Sequence, residues 1–168
     1  MIRIPPQRIW LGLASIAAGL VIASLILTAW LHLHPCYMCI FQRLMFMLLV
    51  PLALLAVFAS ARFARLVAIV VALLAAAAGA GVAGYQIWIQ AQPAAQFSCT
   101  GNETPSMIEH LVSWLGEKVP MLFLADGNCG DKALVILGLS LAAWSLIAFI
   151  FALFAGFWAL IMARRQNG

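Results

Sequence analysis

Four long apolar runs constrain this chain more than any other feature of its sequence. Hydrophobic residues fill 66% of the 168 positions and charged residues only 8%, which is far from the balance of a soluble domain. The runs cover residues 9–31, 39–59, 66–89 and 133–162, and each exceeds the roughly 18 to 20 residues that a helix needs to cross a bilayer. We therefore predict an all-α membrane protein, with residues 1–168 forming a single bundle of four transmembrane helices.

Two loops connect the runs on one side of the predicted bundle. A short one covers residues 32–38, and a long polar one covers residues 90–132. Within the long loop, "TPSMIEHLVSWLGEKVP" has apolar residues at helical spacing, with Thr104 suited to the N-cap and Pro105 to the first helical position. We predict a short amphipathic helix there, lying flat on the bilayer surface.

Charge placement predicts the orientation. Six arginines fall at the two termini and in the connection between the second and third runs, namely Arg3, Arg8, Arg62, Arg65, Arg164 and Arg165. All five acidic residues fall on the opposite side, so the positive-inside rule places both termini in the cytoplasm and both loops on the outer side of the membrane. The net charge of +4 thus reflects topology and predicts no nucleic-acid partner. A cleaved signal peptide is disfavoured because the first apolar run is too long.

Small residues indicate where helices could pack closely. Ser15, Gly19 and Ala23 recur every four residues in the first run, and "AAAAGAGVAG" (75–84) supplies similar spacing in the third. Both patterns predict helix contacts.

All four cysteines lie on the predicted outer side: Cys36, Cys39, Cys99 and Cys129. An even number confined to an oxidising compartment favours disulfide chemistry. Static disulfides remain an alternative, chiefly for Cys99 and Cys129. The Cys36-x-x-Cys39 pair is more typical of redox activity.

Metal binding is a second alternative for the cysteines. The stretch "HLHPCYMC" adds His32 and His34 to the first pair as conceivable zinc ligands, but the second pair lacks the usual short spacing. Haem attachment is disfavoured because Ile40 stands where that motif requires histidine.

Arg43 is the one charged residue inside an apolar run. It follows Cys39 by four positions and so shares its helical face, about one turn deeper. It could simply snorkel to headgroups. The alternative is functional, because a guanidinium beside a thiolate lowers the thiol pKa and can donate to a carbonyl oxygen.

Several motifs resemble those of the disulfide bond formation protein B family, DsbB. They are "HPCYMCIFQR", "FSCTGN" and "WLGEKVPMLFLADGNC", set among four helices. The resemblance implies an enzyme, a quinone-dependent thiol oxidase using ubiquinone or menaquinone that reoxidises a periplasmic DsbA-like dithiol oxidase. It assigns Cys36 and Cys39 to the quinone-coupled pair, Cys99 and Cys129 to the partner-facing pair, and Arg43 to quinone binding.

The resemblance also implies an order of exchange. The partner attacks Cys99, Cys129 then attacks Cys36, and Cys39 passes electrons to the quinone, with Gly127 and Gly130 expected to let Cys129 move. Two glutamines depart from the family pattern: Gln42 stands where some relatives have an acid, and Gln86 near where some have a histidine close to the quinone. Gln86 is therefore expected to be a weaker contact.

Three other functions compete with this interpretation. A metal transporter would be expected to carry more polar residues near the bilayer midplane. An inert structural bundle would leave Arg43 and the Cys-x-x-Cys pair unexplained. A vitamin K epoxide reductase-like enzyme would be expected to carry this motif on a late helix, whereas here it opens the second.

Overall fold

Four long helices dominate the computed structural model, which describes residues 6–92, 106–130, 132 and 134–166. They are α1 (Pro6–Trp30), α2 (Tyr37–Phe58), α3 (Arg62–Ala91) and α6 (Leu141–Gln166). All four are long and apolar enough to cross a membrane. The predicted all-α class and the four spanning helices are confirmed.

The four helices pack in a ring, each against two neighbours. α2 contacts α1 and α3, α3 also contacts α6, and α6 closes the ring against α1. Consecutive helices are antiparallel, so one end of the bundle carries the end of α1, the start of α2, the end of α3 and the start of α6. Because this end holds the described cysteines, we call it the cysteine end, and the other the arginine end.

Small residues bring α3 close to its neighbours, as predicted. Ala72, Ala76, Gly79 and Ala83 are buried at helical spacing, which lets backbones approach. The prediction for α1 is wrong, because Ser15, Gly19 and Ala23 are exposed. The buried residues of α1 lie on a different side of the helix and include Trp10, Ala14 and Ala17. The four-residue spacing identified a row of small residues, but it did not show which side of α1 packs against the other helices.

Gly79 admits an aromatic ring into the centre of the bundle. A Cβ at this position would meet the ring of Phe149 on α6. Phe149 is fully buried and stacks on Phe46 of α2 with centroids 4.0 Å apart, a contact that adds to the burial of both rings. The stack joins α2, α3 and α6.

The described part of the long loop, residues 106–130, contains two short helices, α4 (Ser106–Lys118) and α5 (Pro120–Phe123). Val112 and Phe123 bury themselves against Ile40 of α2, while Trp114 and Met121 remain exposed. The amphipathic helix is therefore present and packs on the bundle. Its expected cap, Thr104 and Pro105, lies outside the described residues.

The fourth spanning helix begins at Leu141, not at Ala133 as predicted. Two short antiparallel strands precede it, β1 (Val135–Ile136) and β2 (Leu139–Ser140). Leu137 and Gly138 between them have φ values of 53° and 81°, and two consecutive left-handed residues form the turn that suits a two-residue hairpin. The prediction failed because a short apolar run does not distinguish strand from helix.

Candidate active site

The site begins with two cysteines at the start of α2. Cys36 is the N-cap residue, and its Sγ accepts a hydrogen bond from the backbone N–H of Cys39 at 3.4 Å. The two sulfurs are 3.1 Å apart, and both residues are free thiols in this structure. The positive end of the helix dipole favours a thiolate here. The arrangement suits a pair that cycles between dithiol and disulfide.

Cys129 reaches the same point from the long loop. It is buried in one cluster with Cys36, Met38 and Ile89. Hydrogen bonding with Cys129 and Cys39, together with burial, raises the pKa of the Cys36 thiol above its usual range. The same contacts place Cys129 next to Cys36.

The segment before Cys129 is fixed against the short loop. The backbone N–H groups of Asp126 and Gly127 both donate to the carbonyl oxygen of Pro35, at 3.1 and 3.2 Å. A Cβ on Gly127 would overlap the carbonyl of His34. Gly127 thus has a different role from the mobility expected of it: because it has no side chain, the backbones of the two loops can approach each other closely.

Arg43 is buried within the protein, with 6% of its surface exposed. Its Nε donates to Ser24 Oγ at 3.2 Å, its Nη2 to Thr28 Oγ1 at 2.8 Å, and its Nη1 to the carbonyl oxygen of Leu122 at 3.1 Å. Three partners on two different segments hold the guanidinium in place. The snorkelling alternative is therefore wrong for this arginine.

Two buried glutamines complete the polar surroundings of the thiols. Gln42 Nε2 donates to Gln86 Oε1 at 2.7 Å, which leaves the Gln86 Nε2 aimed at both sulfurs, 3.2 Å from Cys39 Sγ and 3.4 Å from Cys36 Sγ. Both side chains are at most 3% exposed. Sequence reasoning set Gln86 aside as a weak contact. The sequence could have indicated this role, because both glutamines lie within apolar runs and a buried amide needs hydrogen-bond partners.

A cavity of about 550 Å³ lies beside these groups, bounded by α1, the start of α2 and the start of α6. Cys36, Cys39, Gln42 and Arg43 line its polar part. The remaining lining is largely apolar and includes Leu20, Phe46, Ile147 and Phe151. This volume and composition fall in the range of ordinary small-molecule sites.

Cys99 cannot be placed against the other cysteines, because it lies outside the described residues. Across the ranges that are described, His, Cys, Asp and Glu side chains form no group of three able to hold a metal ion. The structure therefore brings together Cys36, Cys39, Arg43 and Cys129 from the predicted set.

Fold and site together define a class: a multi-pass membrane protein with a thiol pair at a helix start, a third thiol beside it, and an apolar cavity alongside. Comparison with known proteins narrows this class. The family model described as "Disulfide bond formation protein DsbB" matches residues 6–160. The chain belongs to the DsbB family.

Relatives of similar length support the same family. A protein named disulfide bond formation protein B from Dechloromonas aromatica is 40% identical, covering 96% of each chain. Proteins of the same name from Azoarcus sp. and Aromatoleum aromaticum are 36% and 35% identical, covering at least 95% of each chain. The chain is thus a membrane oxidoreductase of disulfide bond formation.

Proposed function

We propose that this protein is a thiol:quinone oxidoreductase that reoxidises a periplasmic, thioredoxin-like dithiol oxidase of the DsbA type. One observation carries the proposal: the Cys39 thiol and the fixed Arg43 guanidinium line the same apolar cavity. The cavity thus combines a thiol pair that must pass on electrons, a cation that can bind an oxygen atom, and an apolar wall.

The residues of the cavity fit a quinone. A quinone has a flat ring with carbonyl oxygens and an apolar tail, so it needs a few donors and a large apolar surface. Arg43 supplies charged donors, and the side chains of α1 and α6 supply the apolar surface. A bound quinone would supply the acceptor for two electrons and two protons.

The chain's own residues would carry the electrons to that acceptor by disulfide exchange. The partner's dithiol attacks a Cys99–Cys129 disulfide at Cys99, leaving as a disulfide and releasing both loop thiols. The Cys129 thiolate then attacks the Cys36 sulfur of a Cys36–Cys39 disulfide and expels the Cys39 thiolate. Cys99 finally attacks Cys129, which restores the loop disulfide and frees Cys36.

The geometry supports this order at the second step. Cys129 lies beside Cys36, so the attack requires little movement. Cys39 is the leaving group, and the Gln86 amide together with the start of α2 would stabilise its thiolate. The raised pKa of reduced Cys36 makes it the poorer thiolate of the pair.

The proposed location is the bacterial inner membrane, with both termini in the cytoplasm. Arg62 and Arg65, in the first turn of α3, lie at the arginine end, which the positive-inside rule assigns to the cytoplasm. The cysteine end then faces the periplasm, where an oxidised dithiol partner works. The lipid bilayer and its quinone pool are the remaining partners.

A turnover assay tests the function. The protein is purified in detergent, supplied with ubiquinone or menaquinone, and mixed with a reduced thioredoxin-like partner. We expect one quinone to be reduced for each partner dithiol oxidised, and the ratio of the two rates gives the preference of the protein between the two quinone classes. Folded protein that reduces neither quinone would contradict the proposal.

A trapping experiment tests the order of exchange. A partner that lacks its resolving cysteine is loaded as a mixed disulfide with thionitrobenzoate, and a reduced loop thiolate displaces the thionitrobenzoate to form the partner adduct. The adduct should form with reduced wild-type protein and with Cys129→Ser, but not with Cys99→Ser. Capture that persists without Cys99 and disappears without Cys129 would reverse the order.

A further inference from the structure

Two loops that are far apart in the sequence meet through a pair of polar side chains. His34 Nδ1 lies 2.6 Å from Asp126 Oδ2. A carboxylate only accepts hydrogen bonds, so the His34 Nδ1–H is the donor. Both side chains are largely accessible, with 73% and 45% of their surfaces exposed. The contact lies outside the cysteine and glutamine network, and the proposed exchange does not use it.

Backbone contacts reinforce this pair at the same place. Pro35, next to His34, accepts the N–H groups of Asp126 and Gly127 through its carbonyl oxygen. Gly127 packs so closely on His34 that a side chain there would overlap the His34 carbonyl. We call His34, Pro35, Asp126 and Gly127 the loop latch.

The loop latch adjoins a cysteine on each side. His34 stands two positions before Cys36, and Asp126 three positions before Cys129. Short segments leave the chain little freedom between the latch and each sulfur, so closing the latch raises the effective concentration of one thiol at the other. Opening it allows Cys129 to move away with its loop.

We propose that the loop latch sets the approach of Cys129 to Cys36, and that His34 and Asp126 are positioning residues for this exchange step. The importance of the step rests on the proposed function. The latch itself is a property of two loops, and it can be measured with neither quinone nor partner present.

The measurement uses the full chain with Cys36 and Cys129 as its only cysteines, in a Cys39→Ser/Cys99→Ser background. The protein is equilibrated in detergent with oxidised and reduced glutathione. Forming the Cys36–Cys129 disulfide releases two electrons and two protons, which convert one oxidised glutathione into two reduced ones. The disulfide-bonded fraction at each glutathione ratio gives the effective concentration of the two thiols.

Single changes at the pair should lower that effective concentration. We expect His34→Ala and Asp126→Asn each to lower it about two- to fivefold, the range of one exposed hydrogen bond to a carboxylate. The double variant should lose little more than either single one, because both remove the same contact. The exchanged pair, His34→Asp with Asp126→His, should recover most of the loss. His110→Ala, an exposed histidine on α4, is the matched control and should change nothing.

Gly127→Ala tests the backbone part of the latch. We expect a loss of more than about tenfold, because the added Cβ forces the two loops apart. Thermal unfolding of each variant checks that the bundle is intact. If Gly127→Ala fails to fold, the His34 and Asp126 variants still decide the proposal.

Independent effects at His34 and Asp126, or an effective concentration unchanged in all latch variants, would overturn the latch. That result would leave the turnover assay untouched. Conversely, coupled latch variants combined with no quinone reduction would support the latch and contradict the proposed function.

Discussion

The two ends of the bundle are built differently. Toward the arginine end, the core consists mainly of alanines and aromatic rings, among them Trp10, Ala14, Ala72 and Ala159. At the cysteine end, the same helices bury Arg43, Gln42 and Gln86. Burying polar groups costs free energy unless each finds partners, so a chain that only needed to stay folded would not require them there. The buried polar residues at the cysteine end indicate a chemical role. The apolar core toward the arginine end holds together the helices that carry them.

The largest expected effect is at the first cysteine pair. Cys36→Ser and Cys39→Ser should each abolish quinone-coupled oxidation in the turnover assay, because each removes a sulfur that carries electrons. The helical circular dichroism spectrum should be retained, since little volume changes. Near-normal turnover in either variant would remove that cysteine from the proposed pathway.

Arg43→Ala should follow, with a quinone KM raised roughly ten- to hundredfold. Losing a charge-assisted hydrogen bond costs ~1.5–3 kcal/mol. Arg43→Lys should recover only part, because Lys lacks the planar fork that reaches several partners. Arg62→Ala, at the exposed arginine end, is the control and should leave the KM unchanged. If Arg43→Ala and Arg62→Ala raised the quinone KM equally, the two ends of the bundle would not differ in quinone binding.

The apolar end should respond in stability. Gly79→Ala should lower the free energy of unfolding by ~1–3 kcal/mol, because its Cβ would overlap the Phe149 ring. Gly81→Ala is matched in type and helix, but its Cβ would meet nothing within 4 Å, so we expect it to be neutral or slightly stabilising. Thermal unfolding in detergent compares the two. Equal melting temperatures would mean that the Phe46–Phe149 stack does not depend on Gly79.

The smallest expected effect belongs to the glutamine pair. Gln86→Met removes the donor to both sulfurs and should slow quinone reduction about two- to tenfold, the value of one hydrogen bond at ~0.5–1.5 kcal/mol. Gln42→Met should slow it less, because the Gln86 donor remains.

The double variant separates function from folding. Replacing both glutamines with methionine leaves no unpaired amide, so stability should recover toward that of the wild type. The slow quinone reduction should persist. If the double variant recovered both its stability and its rate of quinone reduction, the glutamine pair would be no more than a packing contact.

Much of the fold was predictable because it depends on local composition. Four apolar runs, a polar loop and an amphipathic stretch are each visible in a short window of sequence. The start of α6 was not, since the apolar residues of the hairpin around Leu137 and Gly138 read equally well as helix. The face of α1 was also missed, because it depends on which neighbours the helix meets.

The site was predictable only in its reactive groups. Spacing brought Cys36, Cys39 and Arg43 onto one helix. The partners that fix their geometry lie far away in the sequence: Ser24 and Thr28 on α1 hold Arg43, and Gln86 on α3 reaches the sulfurs. Such contacts are set by how helices dock, and no local pattern encodes them.

The most direct test isolates the helix-start cysteines from the loop. A Cys99→Ser/Cys129→Ser variant is fully reduced, freed of reductant, and mixed with excess quinone in a single turnover. We predict one quinone reduced for each Cys36–Cys39 dithiol, with the initial rate at low quinone concentration lowered by Arg43→Ala. A folded double variant that reduces no quinone would contradict electron transfer from this pair into the cavity.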